Sequence, residues 1–243
     1  MPLLSESQKL EKKILSRFQK AIKEYALIEE GDHLLVGLSG GKDSLCLIDL
    51  LGKKLKIHRP KFFVDALHIR MENIKYESDI TYLKTFTESR GIKFHLQTTS
   101  FDSSTDGRKS PCFLCSWNRR KQLFLKAQEL GCNKIALGHH MDDIIHTTMM
   151  NLYFQGSFST MPVKLKMRKM PLSIIRPLCL EHEIDLKHYA DNNGYKKQKK
   201  LCPYENSSHR SDVHHIFSKI EQMAPDARYS VWNALETANK LIE

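Results

Sequence analysis

The fold is decided by the hexamer Ser39-Gly40-Gly41-Lys42-Asp43-Ser44, which lies between an apolar run at 33–38 and an apolar helical pattern that begins at Leu45. Glycines at such a turn let backbone amides converge on an oxyanion, and the following helix adds the positive end of its dipole. The hexamer is not a Walker A loop, because that motif requires Ser or Thr directly after Gly-Lys. The Asp43 carboxylate can hold Mg²⁺ against phosphate oxygens, and nearby hydroxyls can donate to them. The stretch predicts a nucleotide site, with a tight turn and a helix N-cap as the alternative.

Strands and helices alternate on both sides of this hexamer. Strands are predicted at 33–38, 62–69, 92–96, 134–137 and near 174–175, with polar loops at 98–116 and 155–173. Helices are predicted at 5–25, 45–51, 78–90, 117–130, 142–152, 181–192, 209–222 and 226–242. This alternation favours an α/β fold, a parallel sheet with helices on both faces. We divide the chain into an N-terminal helical extension at 1–30, a catalytic domain at 31–205 and a C-terminal helical segment at 206–243.

Composition indicates an ordinary globular protein with a basic surface. Hydrophobic residues make up 41% of the 243 residues, and Lys+Arg exceed Asp+Glu by 38 − 28 = 10. That balance favours a polyanionic partner, although a merely basic surface is the alternative. We find neither a signal pattern nor an apolar stretch near the roughly 20 residues that cross a bilayer. The expectation is a soluble cytoplasmic protein without membrane contact.

The cysteines indicate metal chemistry. In a reducing compartment, paired cysteines point to metal or redox chemistry rather than to disulfides. Cys112 and Cys115 stand three residues apart in a predicted loop, where two thiolates can chelate a metal or a cluster, and Cys202 is the third candidate. A zinc knuckle and a dithiol redox pair remain alternatives. The remaining three, Cys46, Cys132 and Cys179, are interpreted as packing residues, although Cys179 follows a strand and a place near the site is its alternative.

A second polar segment, Gly138-His139-His140-Met141-Asp142-Asp143, follows the predicted strand at 134–137. A histidine and two carboxylates at a strand end can organise a metal and position a substrate, although a helix N-cap with acidic first-turn residues is the alternative. The hexamer at 39–44 resembles the hallmark loop of the PP-loop ATP pyrophosphatases. The second segment is similar to the Gly-His-x-x-Asp-Asp signature of their tRNA-modifying branch.

Over about residues 31–205, the order of these motifs resembles the tRNA 2-thiocytidine synthetase (TtcA) family of PP-loop enzymes. Met161-Pro162 and Arg176-Pro177-Leu178 take part in that order. The resemblance implies that Mg-ATP adenylates cytidine 32 of a tRNA anticodon loop. It also implies that sulfur carried on a [4Fe–4S] cluster with three cysteine ligands then replaces the activated oxygen. Longer members carry another cysteine shortly after the third ligand, whereas this chain continues with Pro203-Tyr204-Glu205.

The resemblance also implies a role for individual residues. The cluster ligands would be Cys112, Cys115 and Cys202. Catalysis and Mg²⁺ binding would fall to Asp43 together with Asp142 or Asp143. The ATP site would comprise Ser39, Gly40, Gly41, Lys42, Asp43, Ser44, His68, Gly138 and His139.

Basic residues flank the proposed site and suit phosphate contacts to a folded RNA, although each group alone is more often a solvated surface. The RNA-binding set is Arg119, Arg120, Lys164, Lys166, Arg168, Lys169, Lys197 and Lys200. The expected partners are tRNA, a sulfur donor (a cysteine desulfurase system or sulfide) and a second copy of the chain. Alternatives are a thiouridine- or lysidine-forming enzyme, a sulfonucleotide reductase, and a non-catalytic zinc-stabilised RNA- or nucleotide-binding module.

Overall fold

A computed structural model describes residues 4–72, 76–77, 79–101, 110–196, 198–200 and 210–243. The helices are α1 (Glu6–Glu24), α2 (Lys42–Leu55), α3 (Ile80–Glu88), α4 (Pro111–Glu129), α5 (Met141–Gln155), α6 (Glu183–Asn192), α7 (Arg210–Met223) and α8 (Ala227–Thr237). The strands are β1 (His33–Gly37), β2 (Phe63–Met71), β3 (Tyr76–Glu77), β4 (Lys93–Thr99), β5 (Lys134–Ala136), β6 (Lys164–Lys166), β7 (Ser173–Ile175) and β8 (Lys199–Lys200). Within these ranges, no helix combines the length and the apolar character that a bilayer span requires.

The main sheet has the strand order β4-β2-β1-β5-β7-β6. The first five strands run parallel, and β6 pairs antiparallel with β7. The chain builds outward from β1 to β2 and β4, and then crosses to the other side through β5 and β7. The direction of building therefore reverses between β1 and β5, and ligands of open α/β sheets bind in the crevice outside the carboxyl ends of the strands at such a point.

Helices cover both faces of the sheet, which confirms the predicted α/β architecture. On one face, α2 and α5 pack on the sheet in a large core that also takes in both chain ends, through Phe18 of α1, Phe217 of α7 and Trp232 of α8. On the other face, Leu123 of α4 packs with Leu35 in a smaller cluster. The division into segments 1–30, 31–205 and 206–243 stays a prediction.

Two segments predicted as loops contain regular structure. Helix α4 begins at Pro111, not at 117, because Ser110 caps it by accepting from the Phe113 amide at 3.3 Å and Pro111 suits the first helical position. The Cys112–Cys115 pair therefore lies in the first turn of a helix, and its predicted loop setting is wrong. The segment 155–173 contains β6, whose three residues Lys164-Leu165-Lys166 offer no apolar run to detect.

Candidate active site

The loop between β1 and α2 is closed around the Ser44 side chain. The Ser44 hydroxyl accepts from the Gly40 amide at 3.1 Å and donates to the Gly41 carbonyl at 2.9 Å. Ser39 accepts from the Gly41 amide at 3.2 Å. Gly40 has a φ of +82°, a conformation that only glycine adopts without strain. These bonds fix the loop so that the N-terminus of α2 faces the carboxyl edge of the sheet. A phosphate group can approach the helix N-terminus from there.

Two residues of the predicted ATP set support this loop from neighbouring strands. His68 is buried in β2, and its Nδ1 lies 2.8 Å from the Leu38 carbonyl oxygen. Gly138 follows β5 and packs so closely on α2 that a Cβ there would lie 3.0 Å from the Asp43 carbonyl carbon. His139 lies beside them, and its Nδ1 accepts from the Arg176 Nε at 3.3 Å. The structure thus brings these predicted residues to the same strand ends.

Asp43, His140 and Asp143 form a charged group at the switch point. His140 Nε2 lies 3.9 Å from Asp43 Oδ1 and 3.4 Å from Asp143 Oδ2. Burial lowers the pKa of His140, but the surrounding carboxylates outweigh it and the net shift is upward. Burial raises the pKa of Asp43, and His140 and Lys42 only partly offset it. Among the described residues, Asp43 Oδ1 is buried without a hydrogen-bond partner, which suits an oxygen that is to receive a cation.

Asp142 has different hydrogen-bond partners from the adjacent Asp143. One carboxylate oxygen accepts from the Glu183 amide at 2.8 Å, and the other pairs with Arg228 of α8. Burial raises the pKa of Asp142, but hydrogen bonds from His140, Arg228 and the Glu183 amide outweigh it and hold the pKa well below its usual range. Because both oxygens are engaged with protein groups, we interpret Asp142 as a positioning residue that joins α5, α6 and α8. Asp143 instead shares the His140 ring with Asp43, since its Oδ2 lies 3.4 Å from His140 Nε2.

Replacing Arg228 by methionine should destabilise the protein by about 3–5 kcal/mol, because it leaves the buried Asp142 carboxylate without its cation. Since the pKa of Asp142 is depressed in the folded state, its stabilisation is complete above the unfolded value near 3.9 and is lost as pH falls below that value. Urea unfolding at pH 7 and at pH 3 measures both effects. The difference between wild type and Arg228→Met should shrink at pH 3, and an equal difference at both pH values would contradict the assignment.

Three site residues carry no sequence signal that marks them. Glu183 opens α6 and accepts from Lys42 Nζ at 2.9 Å. Gln198 donates its backbone amide to the Gly40 carbonyl at 3.0 Å, and its side chain occupies the space where a Cβ on Gly40 would point. Arg228 lies 86 residues beyond Asp142. Each reaches the site through tertiary packing, so local spacing gives no indication of it.

A cleft of about 260 Å³ opens beside the loop, with Leu67, Ile69 and Leu123 among its apolar walls. Arg119 and Arg120 of α4 also line it. The cysteine pair lies at the same edge of the sheet, because Ile69 and Cys115 pack against one further cluster formed by Met71 and Phe101. Cys112 is exposed and Cys115 half-buried. Cys202 lies outside the described residues, and the three cysteines interpreted as packing residues are buried: Cys46, Cys132 and Cys179.

The basic residues do not gather as predicted. Arg168 and Lys169 occupy the turn between β6 and β7, which lies at the amino-terminal edge of the parallel strands, opposite the glycine loop. These two therefore lie apart from the glycine loop, and their RNA-binding role stays a prediction. Lys164 donates to the Ala26 carbonyl at 2.7 Å and is engaged within the fold. Lys166 lies on the outer strand β6, Lys197 is outside the described residues, and of Lys200 only the backbone is described.

Known proteins match this chain along most of its length. A family model described as a PP-loop domain matches residues 10–200. A tRNA-cytidine(32) 2-sulfurtransferase of Bordetella avium is 35% identical over 236 residues, which cover 95% of this chain and 74% of the relative. The same enzyme of Shewanella woodyi is 33% identical over 242 residues, with 97% and 75% covered.

Among solved structures, the U34-tRNA thiolase NcsA from Methanococcus maripaludis, determined with its [4Fe-4S] cluster, superposes with a TM-score of 0.80. The match covers 98% of this chain and 81% of that one, at 27% identity. The motifs, the strand order and these matches agree. The chain belongs to the PP-loop domain family and, within it, to the tRNA-cytidine(32) 2-sulfurtransferases.

Proposed function

We propose that this protein uses ATP to replace the 2-oxygen of cytidine 32 in tRNA by sulfur, which gives 2-thiocytidine. The observation that carries the proposal is that the glycine loop and the Cys112–Cys115 pair lie at the same edge of the sheet, joined through the cleft that contains Ile69. Nucleotide activation and sulfur delivery therefore have adjacent sites. Relatives that carry this activity in their names match almost the whole chain.

The cleft and the loop suit the two halves of ATP. A volume of about 260 Å³ is below the range of roughly 300–1,000 Å³ that holds whole ligands, but it fits a planar base between apolar walls. The phosphates would then lie over the amides of the loop at 39–41. Lys42 is fixed there by Asp43 and Glu183, which outweigh burial and raise its pKa, so it stays charged. Asp43 and Asp143 would hold Mg²⁺, because their oxygens are of the type this ion prefers.

The residues at α4 fit an iron–sulfur cluster. Cys112 and Cys115 stand three residues apart in the first turn of α4, a spacing that lets two cysteines ligate one cluster. Cys202 lies outside the described residues, and Gln198, four residues before it in the sequence, donates its amide to the Gly40 carbonyl at 3.0 Å. When bound to three cysteines, a [4Fe–4S] cluster supplies an iron that can carry sulfur.

The chemistry uses two displacements. The 2-oxygen of cytosine attacks the α-phosphorus of ATP, an oxygen–phosphorus bond forms, and pyrophosphate leaves. A sulfide sulfur then forms a bond to carbon 2, and the carbon–oxygen bond breaks as AMP leaves with the oxygen. Lys42 and the loop amides stabilise the charge that develops on the phosphates. A cysteine desulfurase system or free sulfide would supply the sulfur.

Contact with tRNA is assigned first to Arg119 and Arg120, because they line the cleft on the helix that carries the cysteine pair. Their charges suit phosphates flanking an exposed base. Residues Lys197 and Lys200 stay predictions for the same role. A homodimer also stays a prediction from the family.

The direct test is incubation of anaerobically reconstituted protein with tRNA, Mg-ATP and sulfide, followed by mass spectrometry of the digested nucleosides. We expect ATP-dependent 2-thiocytidine, and none from a tRNA with uridine at position 32. Release of pyrophosphate should depend on the same tRNA. Zinc instead of iron at the cysteine pair, with no AMP formed, would favour the non-catalytic binding module.

A further inference from the structure

A second group of metal-ligating side chains lies at the opposite edge of the sheet from the glycine loop. His33 begins β1, Asp65 lies in β2, and Cys132 follows α4. One nitrogen, one carboxylate oxygen and the sulfur of these residues all lie within 4.8 Å of one another. No part of the proposed reaction uses them, because the nucleotide loop leaves the other end of β1.

The backbone fixes the three side chains relative to one another. The His33 amide donates to the Asn133 side chain at 2.8 Å, and the Asn133 amide donates to the His33 carbonyl at 3.0 Å. This reciprocal pair holds Cys132, the residue before Asn133, beside the start of β1. The Cys132 amide in turn donates to the Ala127 carbonyl at 2.8 Å. The group therefore sits on paired strands and a helix end, not on a free loop.

Asp65 is shared between two histidines. Its Oδ2 lies 2.6 Å from His33 Nε2, and its Oδ1 lies 2.7 Å from Nε2 of His95 in β4. These bonds outweigh burial, which acts in the opposite direction, and lower the pKa of Asp65, so the carboxylate is ionised near neutral pH. A carboxylate whose second oxygen is hydrogen-bonded by an outer histidine is a common arrangement around protein metal ions.

We propose that His33, Asp65 and Cys132 bind one divalent transition-metal ion of the zinc class, with His95 as an outer support of Asp65. Imidazole nitrogen, carboxylate oxygen and thiolate sulfur are together the ligand types of Zn²⁺. Bond lengths of about 2.0–2.3 Å require the three atoms to move by roughly an ångström around the ion. The ion would replace one hydrogen bond, that between His33 and Asp65, by three coordination bonds.

Binding also requires loss of the Cys132 proton to solvent. Burial raises the pKa of this thiol to about 12, so the ion must displace the proton as it binds. The side chain of His33 is 27% exposed, which gives the ion a path of entry and leaves a fourth position for water. Such an ion would join β1, β2 and the end of α4 at the edge remote from the reaction.

The experiment is a Co²⁺ titration of untagged, reduced protein in which the three cluster cysteines are replaced by serine (C112S, C115S and C202S). Co²⁺ reports thiolate coordination through a charge-transfer band in the near ultraviolet. We expect that band to saturate at one equivalent and to disappear when Zn²⁺ is added. Cys132→Ser should abolish it, whereas Cys46→Ser, at a buried cysteine outside the group, should retain it.

A thermal-unfolding measurement provides a second test in case Cys132→Ser folds poorly. Zn²⁺ should raise the Tm of the same triple-serine protein by stabilising the folded state, and adding His33→Asn should remove this rise. His95→Gln should weaken binding by roughly 10–100-fold without abolishing it, as loss of an outer partner does. Absence of the cobalt band, or a band and a Tm rise that both survive His33→Asn, would overturn the proposal. The cluster cysteines are already removed, so thiolation activity plays no part in the outcome.

Discussion

Alanine in place of Cys112 or Cys115 should reduce 2-thiocytidine formation below detection while ATP-dependent release of pyrophosphate continues. Both cysteines lie in the first turn of α4, away from the hydrogen bonds that close the glycine loop. Cys112 is exposed, so its replacement should change stability by no more than about 0.5 kcal/mol. The measurements are nucleoside mass spectrometry, pyrophosphate release and iron content after anaerobic reconstitution.

Cys46→Ala is the matched control, because Cys46 is fully buried among α2 side chains and its Sγ contacts the Leu186 carbonyl at 3.7 Å. This variant should keep iron and thiolation and lose only stability. Cys202→Ala should behave like the α4 variants, although Cys202 lies outside the described residues. Full thiolation by an iron-free Cys115→Ala protein would falsify the assigned role of the pair.

Gly40→Ala should lower ATP-dependent pyrophosphate release by about 100-fold. The φ of +82° costs a non-glycine residue roughly 1–2 kcal/mol, and the added Cβ would lie 2.4 Å from the side-chain oxygen of Gln198. The loop must shift to relieve that contact, and a displacement near 1 Å at a reacting group can cost this much in rate. Steady-state pyrophosphate release with saturating tRNA measures the effect.

Gly156→Ala is the control that distinguishes displacement of the glycine loop from backbone strain alone. Gly156 caps α5 with a φ of +62°, and nothing lies within 4 Å of the Cβ it would receive. The Gly156→Ala variant should therefore lose about 1–2 kcal/mol of stability. Its rate of pyrophosphate release should be unchanged at temperatures well below the Tm. If both glycine variants lose activity in parallel, the contact between Gly40 and Gln198 is not the cause.

The sequence predicted the larger elements because their signals are local. Ser5 and Gln8 form a capping box at the start of α1, and the apolar run at 33–38 contains β1. The beginning of α4 was misplaced by six residues, although Ser110 and Pro111 are ordinary signals of a helix start. Strands β3, β6 and β8 were missed because their two or three residues lack the adjacent apolar residues that marked the equally short β5 and β7.

The candidate site was predictable where one motif supplies several of its residues. It was not predictable where a single residue reaches the site through tertiary packing. Asp43 and Asp143 come from two motifs at neighbouring strand ends, and the parallel sheet brings such ends together. The pairing of Asp142 with Arg228 was not predictable, because no spacing rule reports a contact 86 residues away. The position of Arg168 and Lys169 at the opposite edge was not predictable, because charge alone does not tell which edge of the sheet a turn occupies.

The bond between Arg228 and Asp142 has a consequence for synthesis of the protein on the ribosome. Both motifs of the nucleotide site are translated by residue 143, but the carboxylate at 142 acquires its cation only after Arg228 has emerged from the exit tunnel. Until then, a nascent chain carries a buried acid beside the site without its partner. A ribosome that stalls before α8 therefore exposes a chain with every signature residue and an unfinished centre.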